Sequence, residues 1–99
     1  MRIISKRRLR EFWEKHPDAR ARLEDWYAIT RKTNWRHLAD VRATFRHADP
    51  VGTCTVFNIK GNQYRLITRI SYTRQRVYVR SVLTHAEYDK GKWKDDCKS

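Results

Sequence analysis

The segment NIKGNQYRLITRISY, residues 58 to 72, carries the residues best suited to act on a phosphodiester. Cation, aliphatic and aromatic alternate along it. With the two-residue period of a strand, Tyr64, Leu66, Ile70 and Tyr72 fall on one face, and Arg65, Ile67, Arg69 and Ser71 on the other. In RVYVRSVL, residues 76 to 83, Val77, Val79 and Leu83 share a face. Arg76, Tyr78, Arg80 and Val82 take the opposite one. The aliphatic sets belong against a core, which leaves one open surface with Arg65, Arg69, Tyr78 and Arg80. Asn58 and Lys60 stand two apart and share a face near the turn. Guanidinium groups hold phosphate oxygens with two donors at once, and each aromatic–base stack contributes about 1–3 kcal/mol. The pattern suits single-stranded nucleic acid. The plain alternative is a solvated sheet face with snorkelling arginines.

His85 follows the last of these strands and opens a helical turn. A neutral imidazole there could take or give a proton; the alternative is an ordinary surface or capping histidine. Tyr88 lies three residues on, on the same side of a helical turn. It could stack on a base, polarise a phosphate, or simply pack the terminal segment. His16 fits a helix core stripe, and His37 and His47 sit near loops. Acidic residues are scattered, so no paired carboxylates offer a two-metal site. No zinc spacing, phosphate-binding glycine loop or nucleophile elbow occurs. The expectation is no metal and no cofactor. If RNA is cut, its own 2′-hydroxyl attacks and cations stabilise the charged transition state. Such a cut leaves a 2′,3′-cyclic phosphate and a 5′-hydroxyl, and spares DNA.

The elements that must position these groups follow from periodicity. MRII reads as a short strand. Ser5 is a candidate N-cap for a first helix, in which Leu9, Phe12, Trp13 and His16 keep helical spacing up to Pro17. DARARLEDWYAITRK is a second helix with Ala19, Leu23, Trp26, Tyr27 and Thr30 on one face. Leu38, Val41 and Phe45 suit a short third helix with Trp35 nearby. RHADPVG reads as a connecting loop. From residue 53 the period becomes two: TCTVFNIK, the Gly61–Asn62 turn, QYRLITRISY, the TRQR turn and RVYVRSVL form an antiparallel meander. Thr84 and Glu87 form a capping box for a short terminal helix, and KDDCKS reads as a fraying tail. Helices first and strands last argue an α+β fold: a short N-terminal strand, two amphipathic helices on one face of the meander, and a C-terminal helical turn.

The totals agree. Ninety-nine residues suit one domain, 1–99. Lys and Arg number 23 against 11 Asp and Glu, a net charge of +12, which favours polyanionic partners. Cys54 and Cys97 lack metal spacing and make no disulfide framework, so they read as free thiols in a reducing cytosol. No apolar run is long enough to span a bilayer and no signal-peptide core follows Met1, so a cytoplasmic protein without a membrane partner is expected.

VFNIKGNQYRLITRISY followed by VYVRSVLTHAEYDKGKW resembles the HigB-type toxins of bacterial toxin–antitoxin pairs, within the RelE-like superfamily. The likeness is strongest over residues 56 to 93; length, charge and element order extend it over the whole chain. It implies an mRNA interferase, an endoribonuclease acting on messenger RNA in the ribosomal A site. It also implies a cognate helix-turn-helix antitoxin of the HigA type. By position, Lys60, Arg65, His85 and Tyr88 take the catalytic places; the strand faces, apart from the likeness, assign RNA binding to Asn58, Arg69, Tyr78 and Arg80. Asn58 stands where some branches carry a second lysine, and the tail lacks the terminal histidine of others. Two rivals remain open from the residues alone. One is a non-catalytic RNA- or ribosome-binding module using the same face. The other is a DNA-binding repressor, disfavoured because the arginines concentrate on strands rather than on a recognition helix.

Overall fold

The computed structural model describes residues 1–98. The elements are β1 (Arg2–Ile4), α1 (Lys6–Lys15), α2 (Arg20–Arg31), α3 (Leu38–Thr44), β2 (Asp49–Val51), β3 (Cys54–Ile59), β4 (Tyr64–Ser71), β5 (Arg76–Thr84) and α4 (His85–Lys90). Short 3₁₀ turns span Pro17–Ala19 and Lys92–Cys97. The expected α+β class holds.

The helices form where periodicity placed them. Leu9 and Trp13 of α1 are buried, as are Leu23, Trp26 and Thr30 of α2. Ser5 stands at the N-cap of α1 but its side chain makes no capping bond. Pro17, whose fixed φ and missing N–H suit a first turn, opens the 3₁₀ turn that leads into α2. Phe57 of β3 is the hub of the main core. Trp26 and Phe45 meet it edge-on at 5.4 and 5.3 Å, and Trp35 lies nearly parallel to it at 6.2 Å between ring centroids. The Trp35 indole N–H donates to the Thr44 hydroxyl at 3.1 Å, so the ring's polar edge is satisfied beside its apolar contacts.

Five strands run in the order β1-β5-β4-β3-β2. The predicted meander is β3-β4-β5, antiparallel throughout. Two edge strands extend it. β1 pairs parallel with β5. β2 pairs antiparallel with β3, where a loop was expected. Pro50 hid β2 from a periodicity reading, yet proline is tolerated on an edge strand.

The alternation predicted for β5 fails at one point. Leu66 opposes Val82 and Ile67 opposes Ser81, but Thr68 opposes Val79. Arg80 is the extra residue of a β-bulge, and a bulge inverts the facing of everything beyond it. Val82 therefore packs with the helix-side core and Leu83 with the opposite side. This is the reverse of the sequence expectation for both.

The opposite face is not left open, which corrects a second expectation. Cys54, Val56, Ile67, Trp93 and Cys97 form a separate small core there. The tail expected to fray is wound into the Lys92–Cys97 turn and laid across the sheet. Cys54 and Cys97 are joined by a disulfide with 5.2 Å between Cα atoms, so neither is the free thiol predicted. Forty-three residues separate them; spacing in sequence gave no sign that the tail returns to the start of β3. The β2–β3 turn receives the tail. Thr53 donates to the Cys97 carbonyl through its amide at 2.7 Å and its hydroxyl at 3.1 Å. Gly52 has φ +57, and a Cβ there would run into the Cys97 carbonyl. Only glycine meets both demands.

A polar tie closes the other end of the sheet. Asp18 accepts from Lys60 Nζ at 2.9 Å and from the Tyr64 hydroxyl at 2.7 Å. The Lys60 hydrogen bond first, then that of Tyr64, holds the Asp18 carboxyl below its usual range.

Two outcomes follow. Cys97→Ser, or reduction with a dithiol, should lower unfolding stability by about 2–4 kcal/mol, read as the urea midpoint; an unmoved midpoint would show that the disulfide contributes nothing. For Asp18 the stabilisation is full above the ordinary carboxylate pKa of about 3.9. It fades as pH falls through the lower folded-state value, because the unfolded chain takes the proton first. Asp18→Asn should therefore lose stability at neutral pH and show a shallower decline below about pH 4 than the parent. Parallel curves through that window would remove the carboxylate from the account.

Candidate nucleic-acid interface

An open cleft of about 470 Å³ lies where the α3–β2 connection, the outer face of β3 and β4, and α4 meet. Arg42, Arg46, His47, Asp49, Asn58, Arg65 and Tyr88 supply its polar and aromatic lining. Each is placed by a definable local cause. Asn58 and Arg65 are direct partners in the β3–β4 register, so both side chains leave the same face. β2 pairs Asp49 with Val56, which draws the preceding loop and His47 alongside β3. Arg42 donates from Nε to the Ala48 carbonyl at 3.1 Å and pins that loop.

Tyr88 comes from α4, whose start is fixed twice. Thr84 and Glu87 close a reciprocal capping box, and His85 donates its backbone N–H to the Gln63 carbonyl at 3.0 Å. The Glu87 carboxyl is held below its usual range chiefly by its bond to the Thr84 backbone. The Tyr88 ring then stacks on Trp93 at 4.9 Å and 15°. The Trp93 indole N–H donates to the Tyr88 carbonyl at 2.9 Å. The Arg65 guanidinium lies 4.9 Å from the Tyr88 ring centroid, a cation–π contact. Arg65 is thus held by ring and strand rather than by a carboxylate. Three arginines and a histidine face one acid, Asp49, across this cleft. Such an excess of donors in a concave surface draws an anionic chain.

The residues singled out in sequence divide into five places. Asn58, Arg65 and Tyr88 are brought together in the cleft. Lys60 does not share their face. Its φ of +53 turns the chain at the hairpin, and its ammonium pairs with Asp18. His85 heads the helix that carries Tyr88, is exposed, and sits 3.2 Å from the Asp89 carboxylate. Arg69 and Arg80 converge on Asp96 of the terminal turn. Arg80 makes a two-pronged pair with its carboxylate at 2.7 and 2.8 Å, and Arg69 donates to its carbonyl at 2.7 Å. Tyr78 lies further along β5, where Arg76 first and then Arg74 hold its phenol below the usual range. The single basic surface expected from alternation is therefore two zones. The Trp93–Cys97 cover on Ile67 stands between Arg65 and Arg69.

Sequence reading passed over Arg42, Arg46 and His47. The signal was present in RATFRHAD, where two arginines flank the approach to a histidine. It was unreadable without β2, because only that strand's pairing turns the loop toward Arg65.

Against known proteins, residues 19–91 match the profile of the HigB toxin, described as the RelE-like toxic component of a toxin–antitoxin system. The mRNA interferase HigB of Escherichia coli O6:H1 strain CFT073 is 30% identical over 93 residues, covering 91% of this chain and 90% of that protein. The mRNA interferase toxin HigB of Escherichia coli K12 is 28% identical over 92 residues, covering 90% and 88%. An mRNA interferase HigB of Shigella flexneri matches to the same extent, 28% over 92 residues.

Proposed function

This chain belongs to the HigB toxin family, RelE-like toxic components of toxin–antitoxin systems, and from that membership we propose that it is an endoribonuclease that cuts messenger RNA on the ribosome. The observation that carries the reading is the cleft around Arg65: arginine, histidine, amide and tyrosine converge beside an aromatic stack.

The chemistry is transesterification. The ribose 2′-oxygen attacks the adjacent phosphorus, the bond to the 5′-oxygen breaks, and a cyclic phosphate remains on one fragment. The proton leaves the 2′-hydroxyl and one is delivered to the 5′-oxygen. Arg65 holds the non-bridging oxygens and meets the charge that grows on them, where a fixed donor counts most. Arg46 flanks the chain, and Asn58 bonds a base or sugar edge. His47, in the cleft with Arg65, moves a proton. Tyr88 offers its ring edge or hydroxyl at the same point. His85, outside the lining and beside Asp89, is the second candidate for proton transfer. Lys60, paired with Asp18, joins only if that pair opens. No metal enters the scheme.

The cleft is open and shallow, so ordering of a flexible RNA within it falls to an external scaffold. The ribosomal A site supplies one. Membership of a toxin–antitoxin family brings an antitoxin partner; a helix-turn-helix protein of the HigA type, encoded beside the toxin, is the form proposed. A cytoplasmic location goes with both proposed partners.

Arg65→Ala and His47→Ala should each slow cleavage of ribosome-bound message by about 10²–10⁴-fold while leaving the thermal midpoint near the parent's. New RNA ends should carry 5′-hydroxyls. If both variants cut at the parent rate, the cleft is not the site. If His85→Ala loses activity while His47→Ala keeps it, proton transfer belongs to α4.

A further inference from the structure

The second basic zone is built differently from the cleft. In the register of three adjacent strands, Arg2 opposes Arg76, Ser71 opposes Arg76, and Arg69 opposes Tyr78. Arg2, Arg69, Arg76 and Tyr78 therefore leave one face at the β1–β5–β4 end. Arg74 sits in the turn before β5, two residues from Arg76, its amide donating to the Ser71 hydroxyl at 3.3 Å. Arg8 of α1 donates to the Arg80 carbonyl at 2.9 Å, at the border with Asp96. Asp96 is the acid set among them, and Arg80, Arg69 and Arg8 all act on it. Among the described residues no carboxylate forms an ion pair with Arg2, Arg74 or Arg76.

Like charges set directly opposite across a strand pair weaken it. Arg2 against Arg76 is such a pair, and no structural carboxylate relieves it. A local rule broken without internal compensation points to an external one. The cations here are all arginines, whose planar fork matches phosphate oxygens. Tyr78, half-buried, offers its ring among them.

Arg65 and Arg69 are four residues apart on β4, about 13 Å at strand rise. The Trp93–Cys97 cover lies between them as an apolar ridge. A chain seated in the cleft does not run on into the second zone, so that zone takes a separate stretch of backbone. We propose that Arg2, Arg69, Arg74 and Arg76, with Tyr78, form a second RNA phosphate-backbone site that anchors the protein apart from the cleft. The proposal rests on the endoribonuclease reading only for the identity of the polyanion as RNA.

The test is the double variant Arg74→Gln/Arg76→Gln, which keeps long side chains and removes two charges. Binding is measured over a salt series to ribosomes free of message and to a short unstructured RNA oligonucleotide. Cleavage of ribosome-bound message is followed in parallel. The anchor predicts roughly tenfold weaker binding and a salt slope shallower by about 1–2, with KM raised and kcat unchanged. A loss on ribosomes alone identifies ribosomal RNA as the ligand; a loss on both identifies the message; either supports the site. Unchanged affinity and slope overturn it. Weakened antitoxin binding with RNA binding intact also overturns it and assigns the face to an acidic protein. Arg74→Gln alone, in an exposed turn, repeats the test should the double variant unfold. Arg65→Ala separates the two readings: it should fail to cut, and adding Arg74→Gln/Arg76→Gln to it should still weaken its binding to message-free ribosomes about tenfold. A parent that binds but never cuts would remove the enzymatic reading and leave the anchor standing.

Discussion

The docking of the Cys97 carbonyl into the β2–β3 turn is the constraint on which the outer face depends. Two Thr53 donors hold that carbonyl, Gly52 leaves room for it, and the disulfide to Cys54 ties the approach covalently. Once the turn at Lys92–Cys97 is fixed, Trp93 is fixed under Tyr88, and Tyr88 is fixed beside Arg65. The same segment carries Asp96 to Arg80 and Arg69. A few residues at the end of the described chain thus set the geometry of one basic zone and divide it from the other. A domain of this size has little core to spend on rigidity. A covalent tie across 43 residues is an economical way to hold an aromatic stack over a sheet.

The bulge at Arg80 acts with that cover. Without it, Leu83 would face the helices and Val82 the tail. With it, Val82 completes the main core while Leu83 joins Trp93 on the outer side. The extra residue is itself an arginine, freed from a cross-strand partner and turned to the Asp96 carboxylate. Bulges often re-aim side chains near working surfaces. Here the displaced residue stands at the border between two cationic regions with different neighbours: one lined by an aromatic stack and a histidine, the other by arginines on adjacent strands.

Much of this was legible in the residues and some was not, for local reasons. Helix stripes at Leu9, Trp13, Leu23 and Trp26 read correctly, because a buried helix face repeats. The capping box at Thr84 and Glu87 read correctly, because its partners are three residues apart. Parity in the meander put Arg65 on the outer face, and the cleft brings it together with Asn58 and Tyr88. What failed depended on contacts distant in sequence. The Cys54–Cys97 link, the β2 edge strand and the approach of His47 to β3 each join segments whose meeting leaves no periodic trace. The Arg80 bulge is a single insertion that alternation cannot show. Lys60 shows a subtler limit: parity placed it with Asn58, but a left-handed backbone at the hairpin turned it to Asp18.

The parallel pairing of β1 with β5 has a consequence in time. Arg2 hydrogen-bonds through its amide to the Gln75 carbonyl at 2.9 Å, so the earliest strand waits for the latest. Loop closure over such a distance comes late and slowly in folding. A chain emerging from its own ribosome has no closed sheet until β5 is out, and no seated Tyr88 until the residues after it follow. The outer face is thereby the last part of the molecule to take shape, its timing written into strand order.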